Sequence, residues 1–188
     1  MGRLRFLLAG LGNRGRQWAA ILAAHPDAAL AAAVDVDAAR REGFVAAHPG
    51  VPVFADLAAG LVAGGVDAVL LVTPPDGHLA QAREIFAAGL PLLAEKPLAL
   101  DLAEAAEIVR LAAAQRRPLS VGLNFRYLPV SVALRDALAR RVVGAPGFGQ
   151  FTYQRSRDGR LPRLNKYPLT MRHPMMLEQS IHHIAVSL

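Results

Sequence analysis

Residues 5–15 read Arg5-Phe6-Leu7-Leu8-Ala9-Gly10-Leu11-Gly12-Asn13-Arg14-Gly15. A short apolar run, Arg5–Ala9, leads into glycines spaced G-x-G-x-x-G, and a helical pattern, Arg14–Ala24, opens inside the motif. Each glycine has its own physical reason. Gly10 permits a tight turn with unusual backbone angles, Gly12 lets the backbone approach a pyrophosphate, and Gly15 allows the helix to pack closely on the strand. An anion held there sits at a helix N-terminus, where unbonded N–H groups and the helix dipole attract it. The motif alone is weak, because glycine is common in turns; the strand before it and the helix after it supply the context it needs.

Outward from this loop, short apolar runs alternate with helical stretches as far as Leu123. Strands are expected at Arg5–Ala9, Ala29–Val34, Val51–Phe54, Ala68–Val72, Pro91–Ala94 and Leu119–Gly122. Helices are expected at Arg14–Ala24, Ala38–Ala47, Asp56–Ala63, His78–Ala88 and Leu102–Gln115. This alternation is that of an α/β protein, and strands apolar on both faces call for helices on both sides. The fold class is a doubly wound parallel Rossmann sheet over residues 1–123, followed by the start of an α+β domain over 124–188. Asp56 and Asp101 stand where N-caps belong, and Gly89 stands where a helix ends.

Asp35 lies twenty residues beyond Gly15, at the end of the second strand. Its carboxylate suits the hydroxyls of an adenosine ribose and repels a 2′-phosphate, which favours NAD over NADP. Arg40 and Arg41 lie close enough to offset that repulsion and keep NADP open. Gly10, Gly12, Asn13, Arg14, Gly15 and Asp35 are therefore the first cofactor-binding set. A phosphate-free turn with an ordinary strand-end acid is the alternative, and the assembled context weighs against it.

Beyond Asn124 the texture changes. Val132–Arg141 reads as an amphipathic helix, Gly147-Phe148-Gly149 as a turn and Gln150–Gln154 as a strand. Arg155–Thr170 is irregular, and Pro174–Leu188 is helical again. The hydrophobic fraction of 53% excludes a disordered chain. With no cysteine there are no disulfides, thiolate metal sites or cysteine nucleophiles, and no metal-ligand set is read from the sequence. The net charge of +6 raises nucleic acid as a partner. Its sources are scattered arginines, with Lys96 and Lys166 the only lysines, so no nucleic-acid partner is expected. The apolar run Phe6–Leu11 is too short for a signal peptide, and no stretch approaches the roughly 20 apolar residues of a membrane span. A cytoplasmic chain without a membrane partner is the expectation.

Three further segments are Val72-Thr73-Pro74-Pro75 with His78, Ala94-Glu95-Lys96-Pro97 and Asn124-Phe125-Arg126-Tyr127. With the glycine loop they resemble the Gfo/Idh/MocA family of oxidoreductases, from Leu4 to the end of the chain. Glu95-Lys96-Pro97 is the most specific element. The resemblance implies that Thr73, Pro74, His78, Glu95 and Lys96 line the cofactor site, with structural support an equal reading for His78. It also implies that Lys96, at a strand's carboxyl end where open α/β sheets bind ligands, bonds a substrate hydroxyl.

A second cluster is Glu178-Gln179-Ser180-Ile181-His182-His183. On a helix Glu178 and His182 share a face; taken alone, such a pair is worth only about 0.2–0.5 kcal/mol. The resemblance implies that His182 is the general base and that Glu178 orients substrate or imidazole. Glu178 replaces the more usual aspartate, and Ala185 stands where another aspartate often follows. Arg126 and Tyr127, with Lys166 and Tyr167, are substrate-contact candidates by position and polarity.

The implied activity is NAD(P)-dependent hydride transfer between nicotinamide and a secondary alcohol of a sugar, cyclitol or related polyol, bound between the two domains. An NAD-dependent glycoside hydrolase and a non-catalytic dinucleotide sensor are the alternatives. Members of the family usually continue well past the histidine helix, into strands that commonly form an oligomer interface. The full-length form is thus expected to be a homo-oligomer. These 188 residues alone, as a fragment or a truncated relic, are expected to bind NAD weakly and catalyse poorly.

Overall fold

The six apolar runs of the first 122 residues form one parallel sheet, whose central strands bury side chains on both faces. In the computed structural model, which describes residues 2–142, 144–150, 152, 172 and 176–187, these strands are β1 (Leu4–Ala9), β2 (Ala28–Val34), β3 (Val53–Phe54), β4 (Ala68–Leu71), β5 (Leu92–Ala94) and β6 (Leu119–Val121). Their order in the sheet is β3-β2-β1-β4-β5-β6. The helices between them are α1 (Asn13–Ala24), α2 (Ala38–Ala47), α3 (Leu57–Val62), α4 (His78–Ala87) and α5 (Leu102–Ala114). The elements fall where the sequence places them, with ends displaced by up to two residues.

Alternate residues of each strand feed two cores. Leu7, Ala9, Val34, Val69 and Leu71 pack with Leu57 of α3, Ile85 and Phe86 of α4 and Ile108 of α5. Leu8, Ala33 and Leu70 point the other way, onto Ala19 and Leu22 of α1 and Phe44 of α2. Each large side chain so buried stabilises the fold by about 1.5–3 kcal/mol. The helix ends follow local chemistry. Asp56 and Asp101 accept hydrogen bonds from the backbone N–H groups of Ala59 and Glu104, both at 2.8 Å. Asp37 does the same for Arg40 at 3.1 Å. Gly89 ends α4 in the left-handed region, with the Leu90 and Gly89 N–H groups returning to the carbonyls of Ile85 and Phe86.

The order of strands positions the site. The chain builds outward from β1 through β2 to β3, then returns to β4 on the other flank of β1. All six strands are parallel, so Gly10, Asp35, Val72 and Glu95, which follow β1, β2, β4 and β5, emerge along one edge.

Residues Met1–Gly122 and Leu123–Leu188 form two compact units. In the second, a 3-10 turn (Asn124–Tyr127) precedes α6 (Pro129–Ala139). The helix begins three residues before the expected Val132, because Pro129 occupies its first position and needs no N–H partner there. Further on, a π-helical turn (Met176–Ser180) leads into α7 (Ile181–Ser187). The strand expected at Gln150–Gln154 and the stretch Arg155–Thr170 fall for the most part outside the described residues.

Phe86 is 1% exposed at the centre of the larger core. Phe86→Ala is expected to destabilise the first unit by about 3–5 kcal/mol. Urea denaturation checks this; a loss below about 1 kcal/mol would show that α4 does not anchor the sheet.

Candidate functional site

The three glycines of the loop differ in what surrounds them. Gly10 has φ +102°, and a Cβ there would meet the Val72 carbonyl carbon at 2.8 Å. A Cβ on Gly15 would lie 2.0 Å from the Gly10 carbonyl oxygen, so α1 seats on the turn only without a side chain. Around Gly12 there is nothing within 4 Å of that position. The second glycine therefore faces open space, as the approach of a ligand backbone requires.

The N-terminus of α1 carries no side-chain cap, as is also true of α4 and α6. Aspartates cap α2, α3 and α5, whereas Gly12 at the head of α1 offers no side-chain acceptor, and its first turn holds no acid. A diphosphate supplies the acceptors and negative charge that this end calls for.

Asp35 is buried, and its carboxylate shapes the loop. Oδ2 accepts the Leu11 N–H at 2.7 Å and Oδ1 the Asp37 N–H at 2.9 Å. The Arg40 guanidinium stands 3.6 Å from Oδ2 and also reaches Asp37. Arg41 instead donates to the backbone oxygens of Asp35 and Val36, both at 2.9 Å. Of the two arginines, Arg40 is thus the one beside the carboxylate.

Beyond β4, the Thr73 hydroxyl donates to the Gln81 side-chain oxygen at 2.6 Å. His78, 1% exposed, opens α4 with both ring nitrogens 3.0 Å from backbone oxygens, Nδ1 to Leu98 and Nε2 to Thr73. A neutral imidazole has one N–H to share between two acceptors. Burial pushes the His78 pKa down, against the two carbonyls that favour the charged ring. Of the two readings the sequence left open for His78, its surroundings match structural support: the ring ties the turn after β4 to the segment after β5.

Glu95, 6% exposed at the end of β5, gathers three donors. Oε1 accepts from Arg14 Nε at 2.6 Å and from Trp18 Nε1 at 2.7 Å, and Oε2 accepts the Lys96 N–H at 3.2 Å. Arg14 also donates to Gln17 and lies over the Trp18 ring, 5.6 Å from its centroid. Arg14 and Glu95, each expected to face the cofactor, have side chains that face each other. A buried carboxylate needs a cation, and Arg14 supplies one. Lys96 is half-buried, and its bond to Pro97 is cis. Asn13 pairs with Arg16 one turn on. The sequence reading missed Trp18 and Gln81. The signal for Trp18 was its place four residues after Arg14 on one face of α1; nothing local marked Gln81.

In the second unit, the Phe125 ring stacks on His182 at 4.4 Å and 21°, and meets the edge of His183 at 5.7 Å. Arg126 donates to the Ala185 carbonyl, bracing α7, while Tyr127 is 73% exposed. Glu178 belongs to the π turn and His182 to α7. Lys166 and Tyr167 lie outside the described residues. Among the described residues no group of three or more acidic or histidine side chains could hold a metal, and no helix is long and apolar enough to cross a membrane.

A glycine turn on β1, an uncapped α1, an acid ending β2 and a switch in strand order beside β1 define a dinucleotide-binding Rossmann domain. The chain belongs to the Gfo/Idh/MocA oxidoreductase family, whose NAD-binding Rossmann fold matches residues 4–123. It is 39% identical to an inositol 2-dehydrogenase of Streptomyces avermitilis over 120 residues, 63% of this chain and 35% of that protein. Over 144 residues it is 31% identical to the rhizopine catabolism protein MocA of Rhizobium meliloti, covering 77% of this chain and 45% of the other. Its fold matches a scyllo-inositol dehydrogenase of Lactobacillus casei solved with NAD(H) and scyllo-inositol, with TM-score 0.69 and 25% identity over 76% of this chain and 42% of that one. The chain thus spans less than half the length of these relatives.

Two outcomes test the geometry. Gly15→Ala forces α1 off the turn, and is expected to cost about 1–3 kcal/mol in urea denaturation and to weaken NADH binding; a variant unchanged in both would refute the close seating. For His78 the folded pKa is depressed, so below about pH 6.5 the unfolded chain binds more protons. The His78 contribution is complete above that value and is lost as pH falls toward the folded pKa. Thermal unfolding from about pH 7.5 to 5.5 should show a smaller fall in Tm for His78→Gln than for the wild type. Parallel curves would remove the argument.

Proposed function

We propose that the full-length protein is an NAD-dependent dehydrogenase that oxidises a secondary alcohol of a small cyclitol, polyol or sugar. The observation that carries this reading is the uncapped N-terminus of α1 behind Gly12, on the same sheet edge as Glu95 and Lys96. Relatives named as inositol 2-dehydrogenases support the choice of substrate class.

In this reading residues 1–123 are the dinucleotide domain, and 124–188 belong to a substrate and oligomerisation domain of a homo-oligomer. Backbone N–H groups at Gly12, Asn13 and Arg14 hold the pyrophosphate, with Gly10 and Gly15 fixing their direction. Asp35 takes the adenosine ribose, and Thr73, Pro74 and Glu95 shape the nicotinamide end, braced by His78. Bound NAD supplies the hydride acceptor. The Lys96 ammonium donates a hydrogen bond to the reacting oxygen and stabilises the negative charge that grows there. His182 takes the hydroxyl proton on a ring nitrogen, with its ring plane set by Phe125. Arg126, Tyr127 and Glu178 complete the substrate contacts. The charge of Asp35 favours NAD; Arg40, 3.6 Å from that carboxylate, supports NADP as a second cofactor.

The test is NADH formation by the full-length protein on a panel of inositols, polyols and sugars. Lys96→Met and His182→Asn should each lower kcat by about 10²–10⁴-fold, with NAD affinity nearly unchanged in His182→Asn. Sugar release without net cofactor reduction would replace the dehydrogenase by a glycoside hydrolase. Dinucleotide binding without turnover of any compound would make the protein a sensor.

A further inference from the structure

Arg14 stands in the first turn of the helix that follows the glycine loop, where an arginine could read phosphate. Its geometry assigns it elsewhere. Nε is held by Glu95, Nη1 by Gln17, and the guanidinium plane by the Trp18 ring. Turning toward a phosphate would break a charge-assisted bond of 2.6 Å and leave a carboxylate of 8% side-chain exposure without its cation.

Trp18, the chain's one tryptophan, donates its only N–H to the same Glu95 oxygen. The Glu95 carboxyl lies beside Gly122, where an added Cβ would stand 3.4 Å from its carboxyl carbon and Oε2. Its second oxygen accepts the backbone N–H of Lys96. The cluster therefore joins α1 to the end of β5 across 77 and 81 residues of sequence, one position from the lysine of the proposed mechanism.

We propose that Trp18 and Arg14 are positioning residues: through the carboxylate of Glu95 they fix the end of β5, and with it Lys96, for the nicotinamide half of a bound dinucleotide. The backbone phosphate cradle at Gly10–Gly15 works independently of their side chains. The inference rests on the dinucleotide reading above, and its test separates the two.

Trp18→Phe keeps the ring and removes the donor; Glu95→Gln keeps the shape and removes the charge. In the full-length protein both are compared with wild type for NADH and ADP binding by calorimetry. ADP carries the adenosine and both phosphates but no nicotinamide. Loss of one charge-assisted hydrogen bond corresponds to about a tenfold weaker affinity. That loss is expected for NADH in both variants, with ADP affinity unchanged.

A second readout needs no ligand. Reductive methylation with 13C labels the lysines, and Lys96→Arg identifies the Lys96 methyl signal by NMR. In Trp18→Phe the Lys96 signal is expected to shift while the signal of Lys166 stays in place. A folded Trp18→Phe protein with an unmoved Lys96 signal and unchanged NADH affinity overturns the proposal. So does an equal loss of ADP and NADH binding, which would place the cluster in service of the cradle. If wild type fails to bind NADH, the dinucleotide reading falls, and the lysine signal in Trp18→Phe and in Arg14→Gln decides whether Trp18 and Arg14 position Lys96.

Discussion

The hydrogen bond from the Leu11 N–H to the Asp35 carboxylate is the constraint on which the rest of the sheet edge depends. It joins the ends of β1 and β2 through a residue 24 positions away, and a second bond, from the Asp37 N–H, orients the same carboxylate. The loop conformation is thereby fixed by the chain's own hydrogen bonds. Gly10 takes the turn, Gly15 lets α1 sit against it, and Gly12 faces empty space. A cradle shaped in advance loses less conformational entropy on binding than one ordered by its ligand.

The same edge has an electrostatic logic. A dinucleotide brings a diphosphate, so acids near its path must be neutralised or they oppose binding. Asp35 is compensated by two backbone N–H groups and the nearby Arg40; Glu95 is compensated by Arg14, Trp18 and the Lys96 N–H. Neither carboxylate presents a bare charge, and both are nearly removed from water. The aspartates that cap helices stand on α2, α3 and α5, leaving the positive end of the α1 dipole uncancelled. Charge is balanced around the loop and left unbalanced at its centre.

How much of this was legible in the sequence follows from the range of each interaction. Buried parallel strands are apolar on both faces, so β1, β2 and β4 stand out as continuous runs, and the capping aspartates announce α3 and α5. The glycine spacing and Asp35 follow from a motif whose parts lie close in sequence. The partners of Asp35 did not, because a backbone N–H leaves no mark in composition. The pairing of Arg14 with Glu95 crosses 81 residues, and each side chain by itself resembles a ligand contact. The π turn that carries Glu178 was hidden for another reason: its residues keep helical spacing, and the wider turn appears only in the backbone.

Taken together, the two buried groups beyond β4 and β5 explain why motifs far apart in sequence occur in one chain. His78 spans from the Thr73 carbonyl to the Leu98 carbonyl, joining the Thr73-Pro74 turn to the residues after Lys96-Pro97. Glu95 joins the residue before Lys96 to α1. Lys96 therefore lies between two tethers, one on each side along the backbone, and neither uses its ammonium group. Fixing the backbone on both sides limits where the side chain between them can go.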